Sequence, residues 1–148
     1  MLVFVRRGDS VLLLRGATDK RIWPGLLNGI GGHVEADEDP LSAARREVRE
    51  ECGLELPASA LRLAGVISID LGKRRTGVLL LVFTAECEQV ALTSAAEGTL
   101  EWHRPAELDG LPLVPDLAWL LPRIWNARMV FAHYGYDAAG RLVISPVE

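Results

Sequence analysis

The segment spanning residues 39–53 constrains the fold of this chain more than any other part of its sequence. Asp39 is suited to accept hydrogen bonds from the free N–H groups at a helix start, and Pro40 is suited to the first helical position. Gly53 can adopt the left-handed conformation that commonly ends a helix. Between these ends, apolar residues recur at helical spacing, namely Leu41, Ala44, Val48 and Cys52. The segment therefore predicts a helix over Pro40–Cys52 with one buried face.

The same helix carries an unusual group of carboxylates. Glu47, Glu50 and Glu51 have i, i+3 and i+4 spacing, so they share one face and repel one another. They also lie near the negative end of the helix dipole, which disfavours each by about 0.3 to 1 kcal/mol. Clustered carboxylates at a partly open edge suit a hard divalent cation such as Mg²⁺. The other interpretation is a solvated face on which these groups pair with the helix arginines, Arg45, Arg46 and Arg49.

The residues around this helix form a longer motif. Five residues separate Gly32 from Glu38, and seven more separate Glu38 from Arg46-Glu47. Glu50-Glu51 and Gly53 complete the motif. This pattern over residues 32–54 resembles the Nudix box, and the order of the flanking strands and closing helix is also similar to that family. The resemblance implies an α+β fold, an α/β/α sandwich with a mixed central sheet, and a single domain over residues 1–148.

The resemblance also implies a reaction, the hydrolysis of a nucleoside diphosphate linked to another group with Mg²⁺, or Mn²⁺ in its place, as cofactor. Metal ions would neutralise the phosphoryl oxygens and activate the attacking water. By motif position, Glu50 and Glu51 resemble the principal metal ligands, Glu47 a ligand or base, and the Gly32 carbonyl a further ligand. Arg46 would orient Glu47 through an ion pair.

Three further residues take roles from the same resemblance. Glu38 matches the motif and, at the junction of loop and helix, is expected to be structural, as is Gly53 at the helix end. Glu97 precedes a predicted strand, where relatives often place an additional ligand or general base, although an exposed loop glutamate would look the same. The general base stays open among Glu97 and the three helix glutamates.

Substrate choice rests on weaker markers. The stretches around Asn28 and Asp116 are similar to those of MutT-type enzymes that hydrolyse oxidised purine nucleoside triphosphates. Asn28 and Asp116 would then read the base, and Trp23 or Trp119 would stack on it. The chain departs from the mammalian enzymes at Leu117, where they place a second aspartate. Equally ordinary interpretations are a turn for Asn28, a helix cap for Asp116 and core packing for Trp119.

The leading prediction is a (d)NTP pyrophosphohydrolase that releases a nucleoside monophosphate and pyrophosphate and cleans the nucleotide pool. One alternative is a Nudix hydrolase for another nucleoside diphosphate derivative, such as a nucleotide sugar. Another is a nucleotide-sensing module without turnover, which would be expected to have lost a helix carboxylate. The chain retains all three.

Composition limits the partners. The 148 residues carry a net charge of −4, which disfavours a basic face for duplex nucleic acid or a membrane surface. The longest apolar run, residues 78–83, is far shorter than the ~18 residues needed to span a bilayer. A cytoplasmic protein with two buried thiols, Cys52 and Cys87, is therefore expected. The resemblance implies a nucleotide substrate, and the oligomeric state stays open between a monomer and a homodimer.

Other elements are predicted from β-rich runs and turn residues. Residues 17–32 are expected to be a long loop, and Asp116 is expected to cap a helix over 117–126 that Pro122 kinks or interrupts. The remaining segments are predicted as strands: 2–5, 11–14, 61–70, 76–86, 99–102, 129–136 and 141–145.

Overall fold

The structure, a computed structural model, describes residues 1–19, 22–72, 76–89, 98–126 and 129–147. Within these ranges, nine strands form one sheet and two α-helices accompany it. The strands are β1 (Leu2–Arg7), β2 (Ser10–Gly16), β3 (Leu27–Asn28), β4 (Ile30–Gly31), β5 (Leu61–Ile69), β6 (Val78–Glu86), β7 (Gly98–His103), β8 (Val130–Tyr136) and β9 (Leu142–Val147). The helices are α1 (Pro40–Cys52) and α2 (Leu117–Trp125). No helix in the described ranges is both long enough and apolar enough to cross a bilayer.

The sheet is mixed, as predicted. Its main order is β3-β2-β1-β6-β5-β8-β9, with β4 paired to β1 and β7 paired to β2. The pairs β1–β6 and β5–β8 are parallel, whereas the hairpins β1–β2, β5–β6 and β8–β9 are antiparallel. Together with a helix against each face, this confirms the α+β sandwich with a mixed central sheet.

Helix α1 has the predicted bounds for the predicted reasons. The Asp39 carboxylate accepts hydrogen bonds from the backbone N–H groups of Leu41 (2.8 Å) and Ser42 (3.0 Å). Gly53 has a φ of 69° and donates its N–H to the Arg49 carbonyl at 2.9 Å. The carboxylate face therefore begins and ends at defined positions relative to the sheet.

Two hydrophobic layers lie on opposite faces of the sheet because successive strand side chains point to opposite sides. In β1, Val3 and Val5 belong to the layer under α1, whereas Phe4 belongs to the layer under α2. Cys52 and Cys87 are both buried thiols in the α1 layer, as predicted. Burial raises the pKa of the Cys52 thiol to about 12.

Two local predictions were wrong in part. Residues 17–32 are not entirely loop, since they contain β3 and β4, which form only because β2 and β1 lie beside them. Helix α2 is not interrupted at Pro122. Because proline has no backbone N–H, the Ala118 carbonyl loses its helical partner. Ala118 and Pro122 both lie on the exposed side of the helix, where water can replace the missing N–H.

Candidate active site

Arg46 joins the glutamates of the motif into one network. Its guanidinium forms a bidentate pair with Glu38 (2.6 and 3.1 Å), and one of its nitrogens also contacts Glu47 (3.0 Å) and Glu50 (3.3 Å). A further bond to the His33 carbonyl (3.2 Å) ties the helix to the preceding loop. The hydrogen bonds from Arg46 hold the pKa of the Glu38 carboxyl below its usual value. Arg46 thus joins Glu38, at the junction of loop and helix, to the glutamates of α1.

Gly32 lies directly against the Glu47 carboxylate. A Cβ atom at position 32 would overlap the Glu47 carboxylate, so a larger residue there would require that carboxylate to move. The Gly32 carbonyl oxygen accepts a hydrogen bond from the Met1 ammonium at 2.5 Å. Burial lowers the pKa of that ammonium, while the charge of Glu47 opposes the shift. A positive group thus contacts the Gly32 carbonyl oxygen and lies within electrostatic range of Glu47.

The three glutamates of α1 have different exposures. The Glu50 side chain is 53% exposed and that of Glu47 is 14% exposed, whereas Glu51 is buried and faces a small cavity. Across the described ranges, no three His, Cys, Asp or Glu side chains are arranged to hold one metal ion. Glu47 and Glu50 are both directed to Arg46. The donor chemistry nevertheless fits Mg²⁺ or Mn²⁺, since carboxylate and carbonyl oxygens are what these ions bind.

The cavity beside Glu51 has a volume of about 110 Å³. Trp23 and Asn28 contribute to its walls, so three of the predicted site residues meet there; the other lining residues are Leu2, Leu14, Gly16, Ile22, Leu26, Gly29 and Gly31. Sites that enclose a drug-sized ligand typically measure ~300 to 1,000 Å³, so this cavity admits only part of a nucleotide. Asn28 also accepts a hydrogen bond from the Gly29 N–H (2.8 Å), which is the turn role considered for it.

Asp116 occupies the first position before α2 but does not cap it. Its side chain accepts no hydrogen bond from the helix N–H groups, so the capping prediction was wrong. The residue is buried beside Tyr134, and this burial raises the pKa of the Asp116 carboxyl. Burial and the charge of Asp116 together raise the pKa of Tyr134, although the two side chains do not form a well-aligned hydrogen bond.

Trp119 packs against the same tyrosine. The rings of Trp119 and Tyr134 meet edge to face with centroids 6.3 Å apart, and the Arg123 guanidinium lies 4.5 Å from the Trp119 ring centroid. These contacts are the packing role considered for Trp119. Sequence reasoning did not select Tyr134, although its period-2 spacing from Ala132 in a predicted strand would have indicated an inward side chain.

Backbone hydrogen bonds join the segment that carries Asn28 to the segment that precedes Asp116. The Leu27 N–H donates to the Pro112 carbonyl (2.8 Å), and the Val114 N–H donates to the Leu27 carbonyl (3.0 Å). The segments carrying Asn28 and Asp116 therefore run side by side. Asp116 and Trp119 do not line the cavity that Trp23, Asn28 and Glu51 share. Glu97 lies outside the described residues.

Comparison with known proteins identifies the family of this chain. The family model for the NUDIX domain matches residues 1–124, and the chain therefore belongs to the Nudix family. The oxidized purine nucleoside triphosphate hydrolase of Mus musculus is 26% identical over 136 residues, which cover 92% of this chain and 85% of that protein. A MutT protein from Bacillus halodurans has a similar structure, with a TM-score of 0.81, 26% identity and coverage of 98% and 94% of the two chains.

Other relatives match only locally. The NAD-capped RNA hydrolase NudC of Pseudomonas aeruginosa is 46% identical over 56 residues, which are 38% of this chain. The match spans only 19% of the length of NudC. Family membership supports a pyrophosphohydrolase. The names of the relatives give different substrate classes, from NAD-capped RNA to oxidized purine nucleoside triphosphates.

Proposed function

We propose that this protein is a metal-dependent (d)NTP pyrophosphohydrolase that yields a nucleoside monophosphate and pyrophosphate. The observation that carries the proposal is the cavity that joins Glu51 with Trp23 and Asn28. A carboxylate of the proposed catalytic helix thereby shares a wall with an aromatic ring and an amide, which are groups that recognise a nucleobase. The protein is further proposed to act as a single domain over residues 1–148 in the cytoplasm, as a monomer or homodimer and without duplex nucleic acid or a membrane as partner.

The residues of α1 have two proposed roles, which are metal binding and the orientation of the metal-binding carboxylates. Glu47, Glu50, Glu51 and the Gly32 carbonyl would hold Mg²⁺ or Mn²⁺, which supplies charge neutralisation and an activated water when bound. Arg46 contacts Glu47 and Glu50 at once, so it would orient both carboxylates and limit their mutual repulsion. Glu97 is proposed as a further ligand or base.

The coverage of the relatives favours a nucleoside triphosphate over other substrates. The mouse hydrolase matches along almost the whole chain, including the segment around Asp116, whereas NudC matches over 56 residues only. In this proposal the shared motif handles the diphosphate, so residues outside it would distinguish one substrate from another. Full-length similarity therefore carries more weight than a higher local identity.

Base selection is assigned to Asn28, Asp116, Trp23 and Trp119. A buried acid with a raised pKa can exist in its protonated form, and an amide has both a donor and an acceptor. Both groups suit the hydrogen-bonding edge of a purine. Leu117, which stands where the mammalian enzymes have a second aspartate, is fully buried and contributes no polar group. The preference among purines is accordingly expected to differ from that of the mammalian enzymes.

A screen of normal and oxidised purine and pyrimidine triphosphates with Mg²⁺ tests the proposal. We expect monophosphate and pyrophosphate as products, with purines preferred. Asp116→Ala should lower kcat/KM for purines by roughly ten- to hundred-fold and for pyrimidines much less, because a buried polar partner is worth ~1 to 3 kcal/mol. A uniform loss across substrates would remove Asp116 from base recognition, and release of phosphate alone would contradict the reaction.

Another nucleoside diphosphate derivative, including a nucleotide sugar, is the second candidate, and the local similarity to NudC favours keeping it. The same screen should include such compounds. A sensing module without turnover is disfavoured because Glu47, Glu50 and Glu51 are all present. Tight nucleotide binding without any product would support it instead.

A further inference from the structure

Arg15 and Glu101 form a two-pronged ion pair on the sheet face opposite α1. Arg15 lies on β2 and Glu101 on β7, and the register places Leu13 opposite Glu101, so the two charged residues are diagonal neighbours. The guanidinium donates from Nε to Oε1 at 2.5 Å and from Nη2 to Oε2 at 2.9 Å. His103 contacts the second oxygen at 2.9 Å. Both oxygens of Glu101 are therefore engaged, which fixes the orientation of the guanidinium.

The remaining nitrogen of Arg15 binds a loop. Nη1 donates to the Gly25 carbonyl oxygen at 3.2 Å. Nearby, the Gly25 N–H donates to the Gly16 carbonyl and the Gly16 N–H donates to the Leu26 carbonyl, both at 3.0 Å. Arg15 thus completes a set of bonds that holds residues 25 and 26 against the end of β2.

These bonds hold a tight turn. The Leu26 N–H donates to the Trp23 carbonyl at 3.2 Å, and Gly25 has a φ of 70°. With Pro24 at the second position and glycine at the third, the sequence has the residues that a type II turn requires. Trp23 opens this turn, and its orientation depends on where the turn is held.

Trp23 itself is in a strained conformation. Its φ is 54°, a left-handed value that an aromatic residue rarely adopts, and its side chain is partly exposed while it lines the cavity beside Glu51. Such strain persists only where the surrounding structure imposes it. In this loop, the described bonds that impose it come from the end of β2 and from Arg15.

We propose that Arg15 and Glu101 are positioning residues for substrate binding, because they hold the 23–26 turn so that Trp23 closes one side of the cavity. The kinetic consequence of this positioning role rests on the proposed function. The structural link between the ion pair and the turn does not. Neither residue touches the cavity, so both act through Trp23.

The structural link is tested by amide hydrogen exchange in Arg15→Lys and Glu101→Gln. Lysine keeps the charge of Arg15 but cannot bind Glu101 and the Gly25 carbonyl in the same fork geometry. We expect exchange at Gly25 and Leu26 to become at least about tenfold faster in both variants. Arg141→Lys is the matched control, since Arg141 pairs with Asp137 at 2.8 Å in a distant hairpin. Unchanged exchange in both variants would overturn the proposal.

The kinetic consequence is tested by a double-mutant cycle with Trp23→Ala. We expect Arg15→Lys to raise KM for the nucleotide about tenfold while kcat changes less than about twofold. In the Trp23→Ala background the same substitution should add almost nothing to KM. A full additional effect in that background, or a fall confined to kcat, would show that Arg15 does not act through Trp23.

The two tests separate the two proposals. If the wild-type protein hydrolyses no nucleotide, the proposed function fails, and the exchange data still decide whether the ion pair holds the turn. If nucleotides are hydrolysed and the exchange rates do not respond, only the positioning role fails.

Discussion

Glu47, Glu50 and Glu51 share one turn of α1 but have three different surroundings. Glu47 is packed against Gly32 and paired with Arg46, Glu50 is largely exposed, and Glu51 is buried at the cavity. Arg46 pairs with both Glu47 and Glu50 and so offsets part of their repulsion, although it is also paired with Glu38. A helix optimised for stability alone would not carry this arrangement, so each carboxylate is expected to matter more for activity than for folding.

Removing one of these charges should separate its effect on activity from its effect on stability. We expect Glu50→Gln and Glu51→Gln each to lower kcat by roughly two orders of magnitude or more. Their melting temperatures in metal-free buffer should be unchanged or higher, because like charges near a helix C-terminus destabilise it. Glu55→Gln, beyond the helix end, is the control. A large loss of stability with full activity per folded molecule would show that these glutamates are structural.

The buried acid Asp116 should make stability depend on pH. Because burial raises its pKa, the folded state holds the proton more tightly than the unfolded state does. Its contribution is complete below the ordinary pKa of an aspartate, about 4, and is lost as pH rises through the folded-state value. Asp116→Asn should therefore melt above the wild type at pH 8, and the difference should close near pH 4. An equal difference at every pH, judged against Asp109→Asn at an exposed site, would contradict this.

At the scale of elements, α1 illustrates how much a short stretch of sequence can specify. Its start at Pro40, its end at Cys52 before Gly53, and its buried face were all predictable, because capping and periodicity act within a few residues. Strands β3 and β4 were not predictable, since each has two residues and exists only through pairing with β2 and β1. Elements that depend on a partner far along the chain leave no periodic signal of their own.

The end of α1 offers a test of this local control. Gly53 has a left-handed φ of 69°, so a Cβ there is unfavourable. We expect Gly53→Ala to lower the free energy of unfolding by about 1 kcal/mol. Gly53→Asn should lose less, because asparagine tolerates this conformation. Denaturant unfolding of the three proteins measures the order, and equal stability of the alanine variant and the wild type would contradict it.

At the scale of the whole molecule, the sheet assembles the candidate site from separate parts of the chain. Trp23 and Asn28 come from a segment beside β2, Glu51 comes from α1, and the segment before Asp116 is joined to Leu27 by backbone hydrogen bonds. The proposed substrate and metal binding would therefore depend on the complete fold rather than on the motif alone. Ligands that bind only this state should stabilise it by mass action.

Metal binding should be visible in both activity and melting. We expect excess EDTA to abolish hydrolysis and Mg²⁺ or Mn²⁺ to restore it. Either ion should also stabilise the wild type and raise its melting temperature. At a hundredfold excess over Kd the gain in the free energy of unfolding is up to about 2.7 kcal/mol, and it should be smaller in Glu51→Gln. NaCl at equal ionic strength controls for screening of the glutamate repulsion. Full turnover in excess chelator would contradict the metal requirement.

The sequence alone determined α1, its ends, its carboxylate face and the family, because these depend on residue types at short, regular spacings. Tertiary structure alone decided which of the selected residues meet. It brought Trp23 and Asn28 to Glu51, buried Asp116 beside Tyr134 without a capping role, and paired Arg15 with Glu101 across 86 residues of sequence. Such contacts follow from strand register and from packing between layers. Both are set by interactions of the folded chain as a whole, so no local pattern could have specified them.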